Sequence, residues 1–291
     1  MFNQIEYIHE KGSNHTNEDA YILKREEGLF AVIDGATGLG GLPGSLAATT
    51  IKDSIEEMPL SKSLIESTQL ANKILGQKTL KVTKAQSMKD ILKERRSSCG
   101  LAAVKITKDT LQMEYVQTGD CMLFLQLTNG DIRMISYDHL SPLDSVSISK
   151  FHHLLRLRSK DVEMNESIFQ ECRGEILDTL VENRRKMNTS EGYGVLDGSR
   201  DANEHIEYGL LSLKKVKKIL LLSDGLQLPT KKASGQQAWL ETASFAFKSG
   251  LAQLYNHVHH LETGDPYCLA YPRLKLADDK TGILISLISS Q

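Results

Sequence analysis

Leu29-Phe30-Ala31-Val32-Ile33-Asp34-Gly35 is the stretch whose reading decides the fold: an apolar strand delivers a carboxylate to its end. Negative charge at the end of a buried strand is costly unless something positive meets it. The same device recurs along the chain. Asn17-Glu18-Asp19 precedes a short strand at Tyr21 to Leu23, and Gly119-Asp120 follows MEYVQT. Ser223-Asp224-Gly225 follows ILLL, and Asp278-Asp279-Lys280-Thr281 precedes GILISLI. Words so far apart in sequence predict strands that converge their ends on bound cations. Donors made only of oxygen point to a hard ion, magnesium or manganese, over zinc or copper.

Each word taken alone reads better as a turn, a helix cap or a solvated pair than as a metal ligand. It is their joint placement beside apolar runs that carries the metal reading. The glycines from Gly35 to Gly44 raise a phosphate cradle, but the chain has neither Gly-x-x-x-x-Gly-Lys-Ser/Thr nor Gly-x-Gly-x-x-Gly. Ser223 lacks the Gly-x-Ser-x-Gly elbow of serine hydrolases. His257, His259 and His260 lack zinc-site spacing and read as a solvated helix end, as does His152-His153. Trp239, Leu240 and Phe245 read as core on a helix face.

Composition narrows the classes. The 291 residues, 40% hydrophobic and 25% charged, suit a soluble globular protein with a sizeable core. A formal charge of −2 argues against nucleic acid or an anionic membrane as the main partner. No apolar run approaches the ~18 residues of a membrane span, and the opening stretch has no signal-peptide pattern. The cysteines, Cys99, Cys121, Cys172 and Cys268, are scattered, which excludes a zinc or disulfide framework and predicts a reduced, cytoplasmic protein.

Strands are predicted at 21–23, 29–33, 100–106, 111–117, 122–127, 132–136, 219–222 and 282–287, with Asn129-Gly130 as a hairpin turn. Helices are predicted at 45–58, 63–75, 88–95, 148–157, 168–187 and 236–254. The polar segment from Asp144 to Ile206 reads as an insertion over one edge of the core, so residues 1–291 form one domain. Runs of strands alternating with runs of helices favour a layered α+β fold.

The order NEDA, VIDGATG, SCGLAAVKI, VQTGDCMLFL, LLLSDGL and DDKTGILI resembles the metal-dependent serine/threonine protein phosphatases of the 2C class, the PPM family, from about Ile5 to Leu287. The resemblance implies an αββα sandwich, two antiparallel sheets flanked by helices, with a metal centre at one end. It implies Asp19, Asp34, Asp224 and Asp278 as carboxylate ligands of two Mn2+ or Mg2+ ions. Asp34 would bridge both, and Asp34 and Asp224 would be central to catalysis. Gly35 would add its carbonyl, Asp120 would serve a third, weaker ion, and Glu18 would act through water. The segment 144–206 would be the family's flap. The implied activity is hydrolysis of phosphoserine and phosphothreonine in phosphoproteins by a metal-bound hydroxide, in cytoplasmic signalling. The chain departs from the pattern in places. The arginine that commonly binds phosphate before NED is replaced by Ser13-Asn14-His15-Thr16, leaving His15 as the substitute. Ala36 stands where some members carry a histidine, and Asp279 where an asparagine is common. A regulatory binding module that keeps the fold without turnover is the alternative, with nucleotide binding at the Gly35–Gly44 loop a third reading.

Overall fold

The computed structural model describes residues 2–231 and 235–288. One sheet has the order β1 (Phe2–Glu10), β10 (Lys280–Leu287), β9 (Val216–Leu222), β6 (Met122–Leu127), β7 (Ile132–Met134). The other runs β2 (Ala20–Lys24), β3 (Leu29–Ala36), β4 (Ser98–Thr107), β5 (Gln112–Thr118), β8 (Glu207–Ser212). All pairings between these strands are antiparallel.

The central strands are apolar on both faces because both faces are covered. On β3, Phe30 and Val32 meet Leu123, Ile219, Leu221 and Ile283 of the facing sheet. Ala31 and Ile33 point the other way, onto α1 (Gly44–Glu57) and α2 (Leu64–Thr83), where they join Ala47, Ile51, Ile55 and Leu75. Behind the sheet of β1, β10, β9, β6 and β7, Phe124, Leu220, Leu222 and Leu284 pack on Trp239, Phe247, Leu251 and Leu254. Those residues come from α6 (Gln236–Ser249) and α7 (Leu251–Thr263). Helices, sheet, sheet and helices thus stack as the expected αββα sandwich. Each fully buried Leu, Ile or Phe stabilises such a stack by about 1.5–3 kcal/mol.

Several elements differ from the sequence expectation. β1 and β8 were not expected; both are edge strands that bury few of their residues, and β8 leaves Tyr208 and Leu210 exposed. The helix expected at 236–254 is two helices, broken at Gly250 with φ +85°. That expected at 168–187 splits at Ile176 into α4 (Glu166–Glu175) and α5 (Leu177–Arg185), preceded by α3 (Ser141–Asp161). The helix expected at 88–95 is two short 3-10 turns, Met88–Asp90 and Lys93–Arg95. α2 runs on to Thr83 and starts with a capping box between Ser63 and Glu66, which satisfies its first donors.

Candidate active site

Register brings the acidic words of each sheet together, and one cleft joins the two sets. Ala20 opposes Ile33, Asp34 opposes Gly100, and Gly282 and Met122 both oppose Leu222. The start of β2, end of β3, start of β6, end of β9 and start of β10 therefore lie at one end of the sandwich. They border a cleft of about 710 Å3 lined by Asp34, Asp120, Asp224 and Asp278, with Glu18 and His15 on its N-terminal side. Asp19 lies buried beside it and accepts from Ser223 Oγ at 2.9 Å. His15 is exposed at the rim.

β3 continues through Asp34 and Gly35 to Ala36, so Gly35 is not a bend. Its glycine is needed for closeness: a Cβ there would stand 2.1 Å from the Glu18 carbonyl oxygen and 2.8 Å from that of Gly44. Gly119 turns the chain from one sheet to the other with φ +76° and places Asp120 beside Gly100. The Glu18 carboxylate accepts directly from Thr37 Oγ1 at 2.5 Å and Gly44 N at 2.8 Å, at the N-terminus of α1. Negative charge is favoured at that end of a helix.

The two adjacent aspartates before β10 do different work. Asp279 accepts from Gly12 N and Glu18 N, each at 2.8 Å, tying the N-terminal loop to β10. A carboxylate accepts at both oxygens, which accounts for Asp at this position. Asp278 faces the cleft, and its carbonyl accepts from buried Lys280 Nζ at 2.8 Å, which also pairs with Glu262 at 2.8 Å.

Crowding of like charge sets the electrostatics. Burial, followed by Asp224 and Asp19, holds the Asp34 carboxyl well above the usual carboxylate range. Burial with Asp278 and Asp224 raises Asp19 to about 8, and burial with Asp278 raises Asp224 to about 6. Asp120 is raised by burial, then by Asp224, Asp138 and Asp144. Asp224 Oδ1 is buried with no partner. Such crowding of buried carboxylates suits a cation.

The donor set fits hard divalent ions: carboxylates, the Gly35 carbonyl and an open cleft to admit water. Among the described residues no trio of His, Cys, Asp or Glu forms a ready-made metal cage, so ligation would draw the carboxylates inward. His257 and His259 stay on the solvated face of α7, stacked on Phe245 and Tyr255.

Sequence reasoning missed several cleft residues. Asp144, in the first turn of α3, is raised to about 7 by burial and then Asp138. Asp138 caps α3 through Leu140 N and Ser141 N and accepts from Trp239 Nε1 at 2.9 Å. Arg173, Arg184 and Lys275 supply positive charge to the cleft wall. Arg184 donates to Ser98 Oγ at 3.2 Å and Thr37 O at 3.4 Å. Arg173 donates to Leu274 O. The only available signal was Lys275 lying three residues before Asp278, since tertiary contacts place the others.

The chain has the fold of the PPM-type serine/threonine phosphatases, the family that its acidic words resemble. It is similar to the PPM Ser-Thr phosphatase MsPP from Mycobacterium smegmatis, solved with cacodylate, at 17% identity and TM-score 0.55 over 99% of each chain. It is similar to the Mycobacterium tuberculosis serine/threonine phosphatase PstP/Ppp at 16% identity and TM-score 0.55 over 98% of each chain. The PstP catalytic domain solved with two manganese ions matches at 15% identity, TM-score 0.55 and 98% of each chain. No family model matches the sequence, and no curated protein matches it.

Proposed function

We propose that this protein is a metal-dependent phosphatase acting on phosphoserine and phosphothreonine in proteins. The observation that carries the reading is the convergence of Asp19, Asp34, Asp120, Asp224 and Asp278 on one end of the sandwich, with Asp224 Oδ1 left unpartnered. Asp19, Asp34, Asp224, Asp278 and the Gly35 carbonyl would hold two Mn2+ or Mg2+ ions, with Asp34 between them and Asp120 serving a third. Such ions supply Lewis acidity, acidifying water and drawing charge from phosphoryl oxygens.

The remaining steps belong to the chain's own residues. Lys280 grips the Asp278 carbonyl and Asp279 grips the loop through Glu18, so two ligand-bearing segments keep their spacing. Asp34 and Asp224, crowded by like charge, are carboxylates whose repulsion a positive charge would relieve. Arg173 and Arg184, with His15 at the rim, give the cleft a wall able to receive an anionic phosphoryl group. The segment 144–206 is the proposed flap, shaping access for the phosphoprotein within one domain.

The second reading is a binding module with little or no turnover. It is favoured by the absence of an arginine before Asn17 and by Ala36. Turnover of a phosphopeptide with Mn2+, with Mg2+ and with EDTA separates the two readings. We expect activity with either ion and none with EDTA. Full turnover in EDTA overturns the metal mechanism, and no turnover with any ion favours the module.

A further inference from the structure

Five carboxylates share this end of the sandwich, yet among the described residues a single ion pair reaches into them. It is formed by Lys275, whose Nζ stands 2.5 Å from Asp278 Oδ1 and lines the same cleft as Asp34 and Asp224. The neighbouring guanidiniums are engaged elsewhere: Arg184 with Ser98 and Thr37, Arg173 with Leu274 O, and Arg273 with Asp265 at 3.0 Å.

The backbone around Lys275 is pinned carbonyl by carbonyl. Leu274 O accepts from Arg173, Lys275 O from Cys268 Sγ at 3.5 Å, and Leu276 O from Arg273 Nε at 3.0 Å. Ala277 O accepts from Ser13 N at 2.9 Å, and Asp278 O from Lys280 Nζ at 2.8 Å. Neither the lysine nor its aspartate can retreat by a backbone shift. The lysine's flexible stem can still turn, and it opens into the cleft.

We propose that Lys275 is a built-in competitor for the divalent ion, holding Asp278 in the metal-free protein and swinging off it before an ion is ligated there. The inference rests on the metal-centre reading above and goes beyond it. One side chain would both hold the carboxylate cluster together and set how much metal the site requires. A cation and an ammonium cannot share one carboxylate oxygen at contact distance without strong repulsion.

The test is Mn2+ titration of wild type, Lys275→Met and Lys275→Arg, by calorimetry or by the electron spin resonance of free Mn2+. It is run together with thermal melting in EDTA. Lys275→Met keeps the length of the stem and removes the charge. It should bind Mn2+ about ten-fold or more tightly than wild type, and melt lower than wild type in EDTA. Folding only in the presence of Mn2+ is the same outcome in stronger form. Lys275→Arg keeps the charge and should bind Mn2+ no more tightly than wild type. If Lys275→Met binds Mn2+ with unchanged or weaker affinity, the lysine does not compete and the inference falls while the metal centre stands. If folded wild type and both variants bind no Mn2+, the metal centre falls and takes the inference with it.

Discussion

Asp34 opposes Gly100 across the strand pair and lies among Asp224, Asp19, Asp120 and Asp278, so its charge adds to a crowd of like charges. Asp34→Asn keeps the shape and removes that charge. It should lose activity on the order of a thousand-fold or more. In EDTA it should melt at or above wild type, and it should forfeit most of the rise in melting temperature that the proposed metal centre predicts for wild type with Mn2+. A variant that melts lower in EDTA and keeps the full Mn2+ shift would make Asp34 a structural cap. The same crowding gives the metal-free protein a pH signature. Folded carboxyls with raised proton affinity bind more protons than the unfolded chain, so their contribution to stability is fully present below the ordinary value of 3.8. It is lost as pH rises through about 6 for Asp224 and about 8 for Asp19. Melting in EDTA should therefore weaken across this window, while the gain from Mn2+ grows. Flat or rising stability in EDTA over that range would contradict the crowding. The sequence made the five carboxylates legible, because each stands beside an apolar run. It could not show that Asp279 turns away to the N-terminal loop, since its neighbour Asp278 looks the same in the chain.

Among the elements, the segment from Gly264 to Asp279 matters most, for it delivers both Asp278 and Lys275 without regular secondary structure. Asp265 organises it by accepting from Leu269 N at 2.9 Å, Ala270 N at 3.1 Å and Tyr271 N at 2.8 Å. Arg273 then pairs with Asp265 at 3.0 Å and donates to the carbonyls of Tyr271 and Leu276. Both partners are largely buried, so Arg273→Ala leaves an uncompensated carboxylate and should destabilise the protein by about 3 kcal/mol. It should also shrink the Mn2+-induced rise in melting temperature, because Asp278 loses its support. Arg158→Ala, which breaks an exposed pair with Glu175, is the control and should change neither quantity. Equal effects from the two variants would mean that the loop is held by something other than Arg273. None of this network was visible beforehand, because the segment has no periodicity to read. The split of the last helical run at Gly250 was missed for a related reason. Apolar spacing continues across the break, and only the φ of +85° and the contact with Glu6 mark it.

At the scale of the molecule, the four layers and the α3–α5 segment differ in how they are buried. The sheets share continuous cores with both helical layers, whereas Phe151, Leu155, Phe169, Cys172 and Ile176 form a separate small cluster with Cys268. α5 buries none of its own residues. Local opening follows such differences in burial. Hydrogen exchange should show the amides of α3 to α5 opening well before those of β3, β4 and β9. Equal protection would mean that the segment folds and opens as one with the sandwich. No helix among the described residues is long and apolar enough to cross a membrane.

The sequence by itself determined a layered α+β fold, and its resemblance to the PPM family implied the αββα sandwich. Its buried strands are apolar on both faces and its helices on one, and each acidic word sits where a strand must end. Local patterns of this kind survive folding because they reflect which face each residue buries. Tertiary structure alone decided which ends meet, which of two adjacent aspartates faces the cleft, and which cations line it. Arg173, Arg184 and Asp144 reach the cleft from helices more than a hundred residues away from Asp34, and Lys275 from a loop pinned by hydrogen bonds to Arg173, Cys268 and Ser13. Those placements follow from register and from long-range hydrogen bonds, which no local pattern of residues encodes.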